Sequence, residues 1–215
     1  MALPQGINLR STAAFVTDGS DEDFEGPNVA DAAVNANTYP RTTAQGITVG
    51  WEGTDASGNH GTRNRNSGVD RRCAGVHFMA AGQADDFRID LPSTGSYAVR
   101  VAAGDNSYSV DTKIELLDTT TSLAVLCSGS TGSAARFKDA TNVIRTSAAD
   151  WVTNNASATH TFSTTICRFR CGDSVGVSMA HLYIESAGAA ASVGPLIRGG
   201  SLLHGRLIRG GRLAC

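Results

Sequence analysis

Lysine is almost missing from this chain. Lys113 and Lys138 are the only two, so nearly all positive charge is carried by arginine. Charged residues make up 18%, too few for a bundle of long helices, whose surface draws on Glu and Lys, and aromatics make up only 6%. Ser, Thr, Asn and Gly are left to cover the exterior. No apolar run approaches the length of a membrane-spanning helix. The net charge of -2 gives no global pull toward nucleic acid or a membrane surface. No His-Glu-x-x-His is present, and the cysteines fit no zinc spacing. Neither a metal nor a cofactor is expected. Gly199-Gly200 and Gly210-Gly211 are not followed by a helical pattern, which argues against a phosphate cradle.

Catalytic signatures are equally scarce. Ser128-Gly129-Ser130-Thr131-Gly132 resembles a nucleophile elbow in letters only, because the fifth position counted from Gly129 is Ser133. Asp18, Asp21 and Asp23 lack the glycine and distal glutamate of a calcium loop. Asn155-Ala156-Ser157 has the form of a glycosylation acceptor, but Met1–Arg10 shows no secretory leader. The expectation is a non-enzymatic chain made in a cytoplasm.

What the chain does have is short runs of alternating apolar and polar residues between Gly, Asn, Asp and Ser. Ile47–Trp51 and Val76–Phe78 are two of them. Phe87, Ile89 and Leu91, then Tyr97, Val99 and Val101, read as a hairpin about Ser93-Thr94-Gly95. Tyr108 to Leu116 keeps period two, and Leu123, Val125 and Cys127 return after a turn at 118–121. Ser128–Ser133 reads as a flexible loop, and Ala148–Val152 as one helical turn. Ala158–Phe162, Ile166–Cys171 and His181–Glu185 complete the strands. The acidic stretch Thr17–Gly26 and the segment Asp55–Asn66 read as loops. This spacing predicts an all-β chain, an antiparallel β-sandwich or jelly roll.

Five cysteines are present, an odd number. Cys167 and Cys171 would share one side of a strand about 13 Å apart, too far for a disulfide. Buried thiols acting as small hydrophobes are expected. His77 and His181, inside strands, are expected to be hydrogen-bonded wall residues.

The composition changes after residue 186. Residues 1–186 form the expected sandwich body, with an irregular start over 1–40. Residues 187–194 read as a linker. Residues 195–215 form an extended arm, in which Leu196-Ile197-Arg198-Gly199-Gly200 returns as Leu207-Ile208-Arg209-Gly210-Gly211. Leu202 and Leu203 lie between the repeats, and Cys215 ends the chain. So short an arm cannot shelter its own leucines and isoleucines. At about 25 cal/mol per Å² it is expected to bury them on a partner, with Arg198 and Arg209 paired to acids and Cys215 placed for an inter-chain bond. An exposed aromatic platform beside polar groups would suit a sugar. Trp51, Tyr108 and Trp151, with Asp105 and Asn106, are the candidate glycan-binding residues.

Two resemblances follow from these residues. The succession Tyr97–Val101, Lys113–Leu117 and His181–Glu185 resembles the strands of malectin-like and galactose-binding-like sandwiches. That likeness implies carbohydrate binding on loops at one end. The Ser/Thr/Gly/Ala-rich body with its terminal repeat resembles tailed-bacteriophage virion proteins, such as head-decoration and appendage subunits. That second likeness implies a structural virion protein, a homo-oligomer whose arm clasps sister copies and other virion proteins. The alternative is a galactose-binding-like carbohydrate-binding module.

Overall fold

The computed structural model describes residues 3–10, 21–24, 38–52, 61–65, 69–79, 82–172 and 177–188. The arm, with Leu196, Ile197, Arg198, Leu202, Leu203, Leu207, Ile208, Arg209 and Cys215, lies outside the described residues, as does most of the linker.

Among the described residues the alternating runs become two sheets facing each other across one core. Their strands are β1 (Gln5–Leu9), β2 (Asp21–Phe24), β3 (Arg41–Thr42), β4 (Thr48–Glu52), β5 (Gly61–Asn64), β6 (Gly75–Met79), β7 (Ala84–Asp90) and β8 (Gly95–Asp105). Then follow β9 (Asp111–Asp118), β10 (Thr121–Ser130), β11 (Arg136–Lys138), β12 (Ile144–Arg145), β13 (Ala158–Phe162), β14 (Ile166–Gly172) and β15 (Val177–Ser186). Two short helices, α1 (Arg71–Ala74) and α2 (Ala148–Asn154), interrupt them. One sheet runs β12-β11-β8-β15-β1-β2, with β13 also on β8 and the β5–β6 pair joined to β15. The other runs β10-β9-β14-β7-β4-β3. Most pairings are antiparallel, and β1 with β2 is parallel. The fold is an all-β sandwich.

Period two puts one apolar set of each strand between the sheets. Ile7, Val99, Val101, Leu182 and Ile184 come from one side, and Trp51, Phe87, Ile89, Leu116 and Phe169 from the other. Cys127, Cys167 and Cys171 join them as buried free thiols. Burial pushes all three thiols up from their ordinary value. A second, smaller cluster forms on the outer face of the larger sheet, where Trp151 of α2 packs with Ala102, Phe137 and Ala180. Ser147 caps α2, its hydroxyl accepting from Asp150 N–H at 3.1 Å.

Four sequence expectations need correction. Phe87–Val101 is not a hairpin: β7 pairs with β14 and β4, whereas β8 pairs with β15, β13 and β11. Pro92 to Thr94 carries the chain from one sheet to the other, and Tyr97 Oη ties that crossing by donating to Ser93 O at 2.7 Å. An arch between sheets and a hairpin within one present the same alternation to a core, so the pattern could not separate them. The acidic stretch yields β2, where Asp23 is held by Asn8, Arg10 and Arg71. Within Asp55–Asn66, residues 61–64 form β5. Ser128–Ser130 extends β10 rather than a loop. Register shifts between Ser122 and Ala124 and between Val125 and Cys127 also turn Val125 outward, to 51% exposure.

Candidate functional site

The tryptophans proposed as sugar platforms are interior. Trp51 is fully buried, edge-on to Phe87 at 5.0 Å and 4.4 Å from the ring of His77. Trp151 is also buried, and its indole Nε1 donates to Val101 O at 2.9 Å. Neither ring offers a face to a ligand, because each supplies apolar bulk that a 6% aromatic chain has few other ways to provide.

Tyr108 is different. It is 58% exposed, the highest value among the large hydrophobic residues that are described. The Arg65 guanidinium lies 5.0 Å over its ring and donates to Asp105 Oδ2 at 3.0 Å. Asp105 is buried and also accepts from Ser107 N–H at 2.7 Å, and Asn106 donates to Cys73 O. Asp105 and Asn106 therefore hold the loop in shape. Of the five residues singled out from the sequence, only Tyr108 presents substantial surface.

A second surface escaped the sequence reading. On β7, β14, β9 and β4 the residues that alternate with the core point away from it, and there they are charged. Asp86, Arg88 and Asp90 line β7, Arg168 and Arg170 line β14, Glu115 stands on β9 and Glu52 on β4. Register sets Arg170 between Asp86 and Glu115, and Arg168 opposite Arg88. That like-charge pair is reconciled by Glu52, whose Oε1 accepts from Arg88 at 2.9 Å and whose Oε2 accepts from Arg168. Burial alone would raise the Glu52 carboxyl, but the hydrogen bonds from Arg168 and Arg88 outweigh it and hold the group below its ordinary value. Gly50 faces Arg88 across β4 with no side chain. Tyr39 covers that guanidinium at 4.1 Å and donates to Asp90 Oδ2 at 2.7 Å.

At one end of this charged face lies an open pocket of about 380 Å³, lined by Glu52, Gly82, Gln83, Ala84, Asp86, Glu115 and Arg170. Arg170 is forked onto Asp86, with Nε to Oδ1 and Nη2 to Oδ2 both at 2.8 Å. Among the described residues, the Glu115 side chain makes no hydrogen bond or ion pair, although it stands opposite Arg170 across the sheet. Gln83 Oε1 is buried without a hydrogen-bond partner. Gly172 permits this wall: its φ is +103°, and a Cβ there would stand 2.0 Å from Gln83 O. The pocket thus combines the braced Arg170–Asp86 pair with the Glu115 carboxylate, which no other side chain among the described residues engages. Spaced over strands far apart in sequence, it left only a weak trace: the opposed faces of β14, cysteine and phenylalanine on one and arginine on the other.

No family model and no curated protein matches the chain. Among solved structures it is similar to a family 35 carbohydrate binding module from Clostridium thermocellum. The identity is 14% over 67% of this chain and 95% of that one, with a TM-score of 0.35. It is also similar to the K1 cleaved adhesin domain of Lys-gingipain from Porphyromonas gingivalis W83, at 16% identity over 64% of this chain and 91% of that one, with a TM-score of 0.32.

Proposed function

We propose that the sandwich is a non-catalytic carbohydrate-binding module and that the pocket at Gln83, Asp86, Glu115 and Arg170 receives the sugar. The observation that carries this reading is the pairing of braced polar side chains with the unengaged Glu115 carboxylate. Sugar hydroxyls are donors as well as acceptors. A hydroxyl that enters the pocket donates to the Glu115 carboxylate, an acceptor that no other side chain among the described residues engages. Arg88, Arg168 and Arg170 hold Glu52 and Asp86 in place before any ligand arrives, which lowers the ordering cost of binding. The pocket lacks an aromatic platform, so recognition here rests on hydrogen bonds. Among the described residues, Tyr108 is the one exposed aromatic available for stacking, and it belongs to a different surface.

The test is a glycan array followed by calorimetry. The reading expects a specific ligand whose affinity falls at least tenfold in Glu115→Ala, about 1.4 kcal/mol, while Trp51→Phe leaves it unchanged. A ligand lost in Tyr108→Ala but indifferent to Glu115→Ala would move the site to the loop. Absence of any glycan ligand for the folded chain would defeat the reading. The second proposal, a structural protein of a bacteriophage virion, rests on the Ser/Thr/Gly/Ala-rich body and the repeat in residues 195–215.

A further inference from the structure

The smaller sheet ends at β10 with a strand edge that no other strand covers among the described residues. Such an edge exposes unpaired backbone donors and acceptors, and proteins usually guard it with Lys, Pro or an inward charge. β10 has ten residues, TSLAVLCSGS, with no charge and no proline. Its far end is plugged from within the chain. Asn142 Oδ1 accepts from Ser128 N–H at 3.0 Å, and Lys138 Nζ donates to Ser128 O and Gly129 O. Among the described residues, the stretch Thr121–Leu126 has no such guard beyond its two register shifts.

Exposed apolar side chains gather on this side. The large hydrophobic residues exposed among those described are Tyr108, Val125, Val143 and Ile144. Val125 lies on β10 itself. Val143 and Ile144 follow Asn142, the residue bonded to β10, and Ile144 opens β12, the edge strand of the other sheet. Of the two edges on this flank, β10 carries no charge, while β12 carries Arg145, whose guanidinium is held by Asp139.

We infer that this flank is a homodimer interface, in which β10 of one copy pairs antiparallel with β10 of a second. A second copy fits on charge. A two-fold through Thr121–Leu126 lays an uncharged strand against itself, so no like charges meet, and the six residues TSLAVL pair with their own reverse. Val143 and Ile144 of each copy then cover the end of the partner strand.

The geometry has a consequence. A two-fold that continues a sheet stands perpendicular to it, so the outer faces of both copies point the same way. Arg170 sits on β14, two strands in from the edge. Its two copies would lie five strand spacings apart, about 24 Å. The two polar pockets would face one surface, able to engage a multivalent ligand together. The dimer itself does not depend on what those pockets bind.

Sedimentation of the full chain under reducing conditions tests the inference, with Ser122→Lys and Val125→Lys as variants. Both positions are exposed, so folding is retained, which circular dichroism checks. The expected result is a dimer in the micromolar range whose dissociation constant rises at least ~100-fold in the double variant. A chain that stays monomeric at about 200 µM overturns it. So does a dimer indifferent to the two lysines, including one dissolved instead by Leu207→Asp and Ile208→Asp, which would place the contact in the arm.

Discussion

Single side chains set how this molecule answers to acid. His181 is fully buried, with Nδ1 3.0 Å from Asn8 Oδ1 and Trp151 edge-on at 5.7 Å. Burial first, then the nearby Arg72 charge, push its pKa down to about 3 from 6.5. The folded state therefore keeps it neutral, while the unfolded chain takes up a proton below pH 6.5. Its contribution is whole above that value and shrinks as pH falls toward the folded pKa. About 2 kcal/mol should be lost between roughly pH 6.5 and 5. Urea unfolding at the two pH values checks this, and His181→Gln should flatten the slope. Asp139 adds a second, lower step. Its side chain is inaccessible to solvent and accepts from Thr141, Val143, Arg145 and Ala156. Burial would raise its pKa, but the bonds from Thr141 and Arg145 win and leave it lowered. Its contribution is therefore lost only as pH falls below the ordinary carboxylate range. Asp139→Ala should cost about 3–5 kcal/mol, because it strands the Arg145 charge and several backbone donors. An unfolding midpoint within experimental error of the wild type would refute that role.

At the level of strands and helices, the sequence carried much of the pattern and little of the pairing. Ile166–Cys171 reads as a strand, and β14 is that strand, with Cys167, Phe169 and Cys171 inward and Arg168 and Arg170 outward. The helical turn at Ala148–Val152 is the start of α2. Alternation reports burial on one side and stays silent about partners. The alternation of β7 and β8 therefore matches a hairpin although the two strands lie in opposite sheets. It is equally silent about the register shifts in β10, since a bulge moves later residues to the other face and no residue type announces one. The acids of β2 illustrate a different limit. Glu22 and Asp23 are buried against polarity because Ala44 N–H, Asn8, Arg10 and Arg71 reach them from distant parts of the chain.

The whole molecule turns one sheet's outer face into a polar surface held rigid by its own charges. None of that surface was singled out beforehand. Glu52, Gln83, Asp86, Glu115 and Arg170 come from four strands and one turn, and only sheet register brings them together. Tryptophan drew attention as the usual sugar platform, yet in a chain with two tryptophans the core took both. The most direct test is an NMR titration of the ¹⁵N-labelled chain with a glycan selected from an array. The account predicts that the largest amide shifts fall on Gln83, Ala84, Asp86, Glu115 and Arg170, and that Glu115→Ala abolishes them. Shifts confined to Arg65 and Asn106–Tyr108, or none at saturating glycan, would contradict it.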